Sequence, residues 1–267
     1  MAALAAGGAS AEAEVTIEIL YGIQCPHCQD LLSHGVNELV RAGLPGDQVH
    51  ISILPMIVPP DGYPACMAEP KCADALPAMC ALEPLLPAPF PADAARLPAV
   101  VDFLACDIVP AGSGLKMTPG TVPACATHAG LPAAELLRCA TQPGVFDLLF
   151  TDKYAGRIMA VLRSLEAAGF PDHMATPIVL LNGGVLTCRG DGCTGRLLPD
   201  GSVTPLEDPG SLLYLVCAEL DPKPQQCAGV RGLEPVPQVA NVQACESCVE
   251  TSAFGSWHLR RRPPGAD

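Results

Sequence analysis

The chain has 267 residues, of which 49% are apolar and 16% charged, and carries a formal net charge of -13. That apolar fraction can build the core of one large domain or two small ones, which excludes a disordered polyelectrolyte. With 28 acidic against 15 basic side chains, most of the surface would repel a phosphate backbone, so no nucleic-acid partner is expected and Arg260-Arg261-Arg262 reads as a solvated tail.

Met1 to Glu14 is rich in Ala and Gly and has neither a basic start nor a long apolar stretch, so it does not read as a signal peptide. No run of 18 apolar residues follows, so no membrane span is expected. From Val15 to Tyr21, Val15, Ile17, Ile19 and Tyr21 alternate with Thr16 and Glu18, the period of a strand. Leu20 makes the second face partly apolar too, which suits a central strand. A turn, Gly22-Ile23-Gln24, leads into Cys25-Pro26-His27-Cys28. Leu32, Val36, Leu39 and Val40 then follow a helical period that stops near Gly43. Val49 to Pro55 is strand-like again, so residues 15–55 form a β-α-β unit with the cysteine pair at the first strand-to-helix junction.

Residues 56–98 are rich in Pro, Ala and Cys and read as loop plus short helices. Stretches 99–108 and 133–169 carry helical patterns, including Ile158, Val161, Leu162 and Leu165. Pro177 to Leu181 reads as a short buried strand, Asn182-Gly183-Gly184 as a hairpin turn, and Val185-Leu186-Thr187 as the start of the partner strand. Ser211 to Glu219 reads as a final helix. Periodicity fades beyond Asp221, leaving an extended, Pro-containing tail held by cysteines.

The 14 cysteines exceed what a reduced cytosolic protein usually carries, which points to an oxidising compartment and stands against the absence of a readable leader. None of the three asparagines, Asn37, Asn182 and Asn241, lies in a glycosylation sequon.

Cys25 and Cys28, at i and i+3 opening a helix, suit thiol-disulfide exchange. Unpaired N–H groups and the helix dipole favour a thiolate at Cys25, the attacking group. Cys28, one turn on, can resolve the mixed disulfide. Pro26 fits the first turn because its missing N–H would have no partner there. His27, when protonated, would add stabilising charge. An unperturbed thiol with a pKa of about 8.5 is roughly 0.03% ionised at pH 5, so work in acid requires a perturbed Cys25. Half of a zinc site and a plain structural disulfide are the competing readings of the pair.

Thr176-Pro177 heads the later strand, where proline is tolerated. In thioredoxin-like folds the corresponding proline is cis and lies against the cysteine pair. By that analogy the Thr176–Pro177 bond is expected to be cis, with the Thr176 backbone pairing with an extended substrate.

Cys66, Cys72 and Cys80 form a C-x5-C-x7-C run, followed by Cys106, Cys125 and Cys139, while Cys217 and Cys227 bracket the end of the last helix. This layout resembles the gamma-interferon-inducible lysosomal thiol reductase (GILT) family. The similar pieces are the strand with its Cys pair, the Cys72 to Cys80 spacing, Leu137-Arg138-Cys139-Ala140, residues 176–183 from Thr-Pro to Asn-Gly, and Leu215-Val216-Cys217 followed by Pro224 and Cys227. The resemblance spans residues 15 to 227 and implies an α/β, thioredoxin-like domain over 13–222. A helical, cysteine-rich insertion at about 56–175 would separate the β-α-β unit from a C-terminal β-hairpin plus helix, with a tail over 223–267.

It also implies a cofactor-free reductase of protein disulfides, served by a thiol electron donor, in the endolysosomal lumen or secreted. Cys25, Cys28 and His27 would be catalytic, Thr176 and Pro177 substrate-binding, and the eight cysteines just named structural. The family's Gln-His-Gly after the first Cys of the middle run is absent, since Cys66-Met67-Ala68-Glu69-Pro70-Lys71-Cys72 is one residue shorter. The Pro-His dipeptide is more similar to that of the bacterial oxidase DsbA, so a disulfide oxidase or isomerase stands as an alternative, and a non-catalytic cysteine-stapled or zinc-binding module as a second.

Cys188 with Cys193, and Cys245 with Cys248, fall outside the resemblance and read as local disulfides rather than a shared metal site. Arg189-Gly190-Asp191 reads as a chance triplet. His34, His50, His128, His173 and His258 lack ligand-like spacing.

Overall fold

The computed structural model describes residues 14–22, 25–56, 70–83, 94–107, 121–142, 156–171, 174, 176–190 and 192–231. A six-stranded sheet forms the frame. It comprises β1 (Val15–Tyr21), β2 (Val49–Pro55), β3 (Ile178–Leu181), β4 (Gly184–Arg189), β5 (Gly192–Leu197) and β6 (Val203–Ser211), in the order β2-β1-β3-β4-β5-β6. Strand β1 pairs parallel with β2 from Val15 opposite Val49 to Tyr21 opposite Pro55, and antiparallel with β3, with Leu20 opposite Ile178. Both sides of β1 are therefore paired. Val15, Ile17, Ile19, Leu20 and Tyr21 are all buried, as the mixed pattern of the strand requires.

Between β1 and β2 runs the segment that carries the cysteine pair: α1 (Pro26–Leu31), a π-helical stretch at Leu32–Val36, and α2 (Asn37–Arg41). The heptad-like apolar set Leu32, Val36 and Leu39 is buried in the core. The Asn182–Gly183 turn between β3 and β4 has φ of 50° and 78°, the signature of a primed two-residue hairpin turn. Asn182 also ties the hairpin to β1, accepting from Thr16 N–H through its side-chain oxygen at 2.9 Å and donating its own N–H to the Thr16 carbonyl at 2.9 Å.

The insertion between β2 and β3 is helical: α3 (Pro70–Leu82), α4 (Leu97–Asp107), α5 (Thr121–His128), α6 (Ala133–Thr141) and α7 (Arg157–Ala167). Met79, Phe103, Leu104, Val122, Ala126 and Leu136 join the sheet's core, so the insertion packs as part of the domain. Disulfides Cys80–Cys139 and Cys106–Cys125 link α3 to α6 and α4 to α5. The last helix, α8 (Leu212–Glu219), starts where Ser211 Oγ accepts from Tyr214 N–H, and Cys217–Cys227 pins the following chain to it.

The parallel β-α-β start, the antiparallel β3–β4 hairpin and the closing helix make this a thioredoxin-like α/β fold with a helical insertion. Three details differ from the sequence reading. Residues 70–82 form a 13-residue helix despite the internal Pro77, longer than the short helices expected there. Within 133–169, α6 stops at Thr141, where Gln142 turns extended, and α7 is a separate helix. The hairpin of β3 and β4 continues into β5 and β6, doubling the expected C-terminal pair of strands.

Candidate active site

Strand β1 ends at Tyr21 and delivers the chain to Cys25, which caps α1 in an extended conformation with φ -99° and ψ 113°. The Cys25 carbonyl accepts from Cys28 N–H at 3.0 Å and Gln29 N–H at 3.1 Å, closing the first turn, while Cys25 N–H donates to Gly22 O at 3.2 Å. Pro26 occupies the first helical position, where no donor is lost. This turn brings both sulfurs to one side of the helix start.

The two thiols have different surroundings. Cys25 is half-buried and its Sγ donates to the Thr176 carbonyl at 3.3 Å. Cys28 is fully buried, and its Sγ accepts the Gly22 N–H at 3.3 Å. The hydrogen bond from Cys28 is the main cause that lowers the Cys25 pKa from 9.0 to about 6. Partial burial opposes it, while the backbone N–H of Cys28, the Thr176 side chain and the backbone N–H of His27 add to it. Cys28 is pushed well above 9.0, first because burial strips water from its charged form, then because it gives its hydrogen bond to Cys25 and is repelled by that thiolate. One sulfur is thus prepared to attack while its neighbour keeps its proton.

The His27 backbone N–H is among the donors that lower the Cys25 pKa. The Thr176–Pro177 bond is cis, as the fold analogy predicts, and Thr176 reaches the cysteine pair from β3's N-terminal side.

Gly22 was not singled out in the sequence beyond its place in a turn. A Cβ there would stand 2.6 Å from Thr176 Oγ1 and 3.2 Å from Cys25 Cβ, so only glycine lets the β1 end, the helix cap and the Thr176 segment converge. Its position directly after the strand and just ahead of the Cys pair is the one sequence signal for it.

Among the described residues, Cys25 and Cys28 are the free cysteines, and eight others form the disulfides Cys80–Cys139, Cys106–Cys125, Cys188–Cys193 and Cys217–Cys227. The local pairing expected at Cys188 and Cys193 is present. Cys66, Cys245 and Cys248, and the side chain of Cys72, lie outside the described residues. Among those described, no cluster of three His, Cys, Asp or Glu side chains is arranged to hold a metal, and no helix is long and apolar enough to cross a membrane.

No family profile matches the chain, and no curated protein matches it. Solved structures similar to it include the oxidoreductase DsbA from Xylella fastidiosa, at 18% identity over 64% of this chain and 74% of that one, with a TM-score of 0.35. Another is MdbA, a thiol-disulfide oxidoreductase from Actinomyces oris, at 16% identity over 66% and 74%, with a TM-score of 0.38. A third is the cytosolic disulfide reductase DsbM from Pseudomonas aeruginosa, at 16% identity over 72% and 89%, with a TM-score of 0.33. Likenesses this distant assign no function.

Proposed function

We propose that the chain is a thiol-disulfide oxidoreductase that reduces protein disulfides through Cys25 and Cys28. The observation that carries this reading is the unequal ionisation of two free, adjacent thiols at a helix start, Cys25 lowered to about 6 and Cys28 raised. The Cys25 thiolate attacks one sulfur of a substrate disulfide, and the other sulfur leaves and takes a proton. Cys28 then loses its proton, attacks Cys25 Sγ and frees the second substrate sulfur, leaving a Cys25–Cys28 disulfide. A thiol donor restores the pair, so no further cofactor is required. Thr176 borders the attacking sulfur and, with Pro177, would align the substrate segment.

The direction of electron flow follows from how far the Cys25 thiolate is stabilised. A value of about 6 lies nearer the ~7 of thioredoxin than the ~3.5 of DsbA, and a more stabilised thiolate makes a stronger oxidant, which favours the reductase. The Pro26-His27 dipeptide favours the second reading, a DsbA-like oxidase or isomerase. Residues 13–222 would form the working domain and 223–267 its tail. The disulfides of the described residues support an oxidising setting, and by the GILT resemblance this is the endolysosomal lumen or the exterior.

Insulin reduction with a thiol donor at pH 4.5 and pH 7 is the test. Turnover should vanish in Cys25→Ser, and Cys28→Ser should accumulate a covalent mixed disulfide with the substrate. Full activity in both variants would sink the assignment. A measured potential near about -120 mV would replace the reductase by the oxidase.

A further inference from the structure

The resolving step asks more of Cys28 than its resting state supplies. With both thiols reduced, Cys28 is held protonated, first by burial, then by the hydrogen bond it gives to Cys25 and by the charge of that thiolate. Once Cys25 is bonded to a substrate sulfur it is neither an anion nor free to accept that hydrogen bond, and these two causes vanish. Burial remains, so an anion at Cys28 needs donors at its own sulfur.

Helix α1 does not provide them. The main-chain N–H groups of His27 and Cys28 serve Cys25, and the Cys28 N–H closes the first turn on the Cys25 carbonyl at 3.0 Å. The donors reach Cys28 from two other segments. Gly22, just past the end of β1, donates its N–H to Cys28 Sγ at 3.3 Å. Thr176, ahead of β3, brings its hydroxyl to the same place, where it hydrogen-bonds to the sulfur. Gly22 also makes room for that hydroxyl. A Cβ there would stand 2.6 Å from Thr176 Oγ1, while the φ of Gly22 lies outside the left-handed region, so space and not backbone conformation requires glycine.

We infer that the Gly22 N–H and the Thr176 hydroxyl are the catalytic donors of the resolving step, holding the Cys28 thiolate as it attacks the bond between Cys25 and the substrate. Cys28 releases its proton to water and its sulfur bonds to Cys25 Sγ. The Cys25–substrate bond breaks, and the substrate sulfur leaves with the electron pair and takes up a proton from water. The inference rests on the dithiol exchange proposed above. It holds for either direction, because a substrate thiolate attacking Cys25 of the Cys25–Cys28 disulfide expels the same Cys28 thiolate.

Dithiobis(nitrobenzoate) separates the steps on the full chain, since attack by Cys25 releases one coloured thiolate and resolution by Cys28 a second. Removing the hydroxyl in Thr176→Val should raise the pH midpoint of the second release by about one unit. Below that midpoint the release should slow about threefold, a tenfold loss of thiolate being partly offset by the greater nucleophilicity of a more basic sulfur. Thr176→Ser, which keeps the hydroxyl, should restore both. Replacing the Gly22 amide by an ester, with the peptide ending at Gln24 joined to the remainder by ligation at Cys25, should shift the second midpoint in the same direction. A second release unaltered in either protein overturns the inference, as does Thr176→Ser behaving like Thr176→Val. A first-release midpoint that rises as far as the second would show a general loosening of the site and would overturn it too. Failure of insulin reduction with both releases intact would defeat the reductase assignment alone.

Discussion

At the residue scale, Cys25 owes its reactivity chiefly to the Cys28 thiol that donates to it. Alkylation of the reduced protein should therefore rise through a midpoint near 6, from about a tenth ionised one pH unit below to about nine-tenths one unit above. In Cys28→Ala the midpoint should move up toward the ordinary 9.0; an unmoved midpoint would show that another group holds the thiolate. Because the folded value lies below the unfolded one, Cys25 stabilises the reduced fold fully above about 9, and that contribution is lost as pH falls through about 6. Denaturant unfolding of reduced against oxidised protein at pH 5 and pH 8 reads this directly, with the reduced form gaining ground at pH 8. Gly22→Ala should slow insulin reduction by at least about tenfold, since the methyl group would displace Thr176 or the Cys25 cap; near-normal turnover would contradict that close approach. Cys25 and Cys28 were legible because their chemistry is local and their spacing fixed, whereas Thr176 and Pro177 were reached through the fold analogy. Gly22 was not, because the atom that forbids a side chain there belongs to Thr176, far along the chain.

At the scale of elements, the helix with the cysteine pair is braced from the insertion. Gln29 Nε2 donates to the Ala105 carbonyl at 3.2 Å, and Asp102 of α4 accepts from Asn37 Nδ2 at 2.8 Å and pairs with Arg41. Arg41 is more than half exposed, so the ion pair is screened and most of the effect comes from the part-buried Asn37 bond. Asp102→Ala should cost about 1 kcal/mol in denaturant unfolding while leaving the Cys25 alkylation midpoint in place. Elements that the sequence hid share a physical cause. Pro77 removes one donor from α3, yet the helix persists because Leu76, Ala78, Met79, Cys80, Ala81 and Leu82 are all buried. Strands β5 and β6 contain Gly192, Gly195, Pro205, Pro209 and Gly210 and are largely exposed along β6, so neither propensity nor alternation marks them. Pairing of β5 with β4, with a cross-strand disulfide at its end, and of β6 with β5 fixes them instead.

For the whole molecule, the split between sheet and insertion was legible as a break between two β-rich ends and a Pro, Ala and Cys-rich middle. How the middle closes was not, because connectivity among cysteines depends on helix packing. Cys80–Cys139 spans 59 residues and joins α3 to α6, so replacing both cysteines by Ala should lower unfolding stability by about 2–4 kcal/mol, measured by denaturant titration under oxidising conditions. A loss near zero would show that core contacts alone hold α3 and α6 together. The sheet's outer margin at β6 has a consequence for the company this protein would keep. Pro205 and Pro209 present no N–H, and Glu207 and Asp208 add like charges between them, so β6 offers a poor template for another strand. On the proposed reductase reading, such a protein generates loosened, strand-prone chains at its own surface. With this border blunted, such chains can be released after reduction without being annexed into a growing intermolecular sheet.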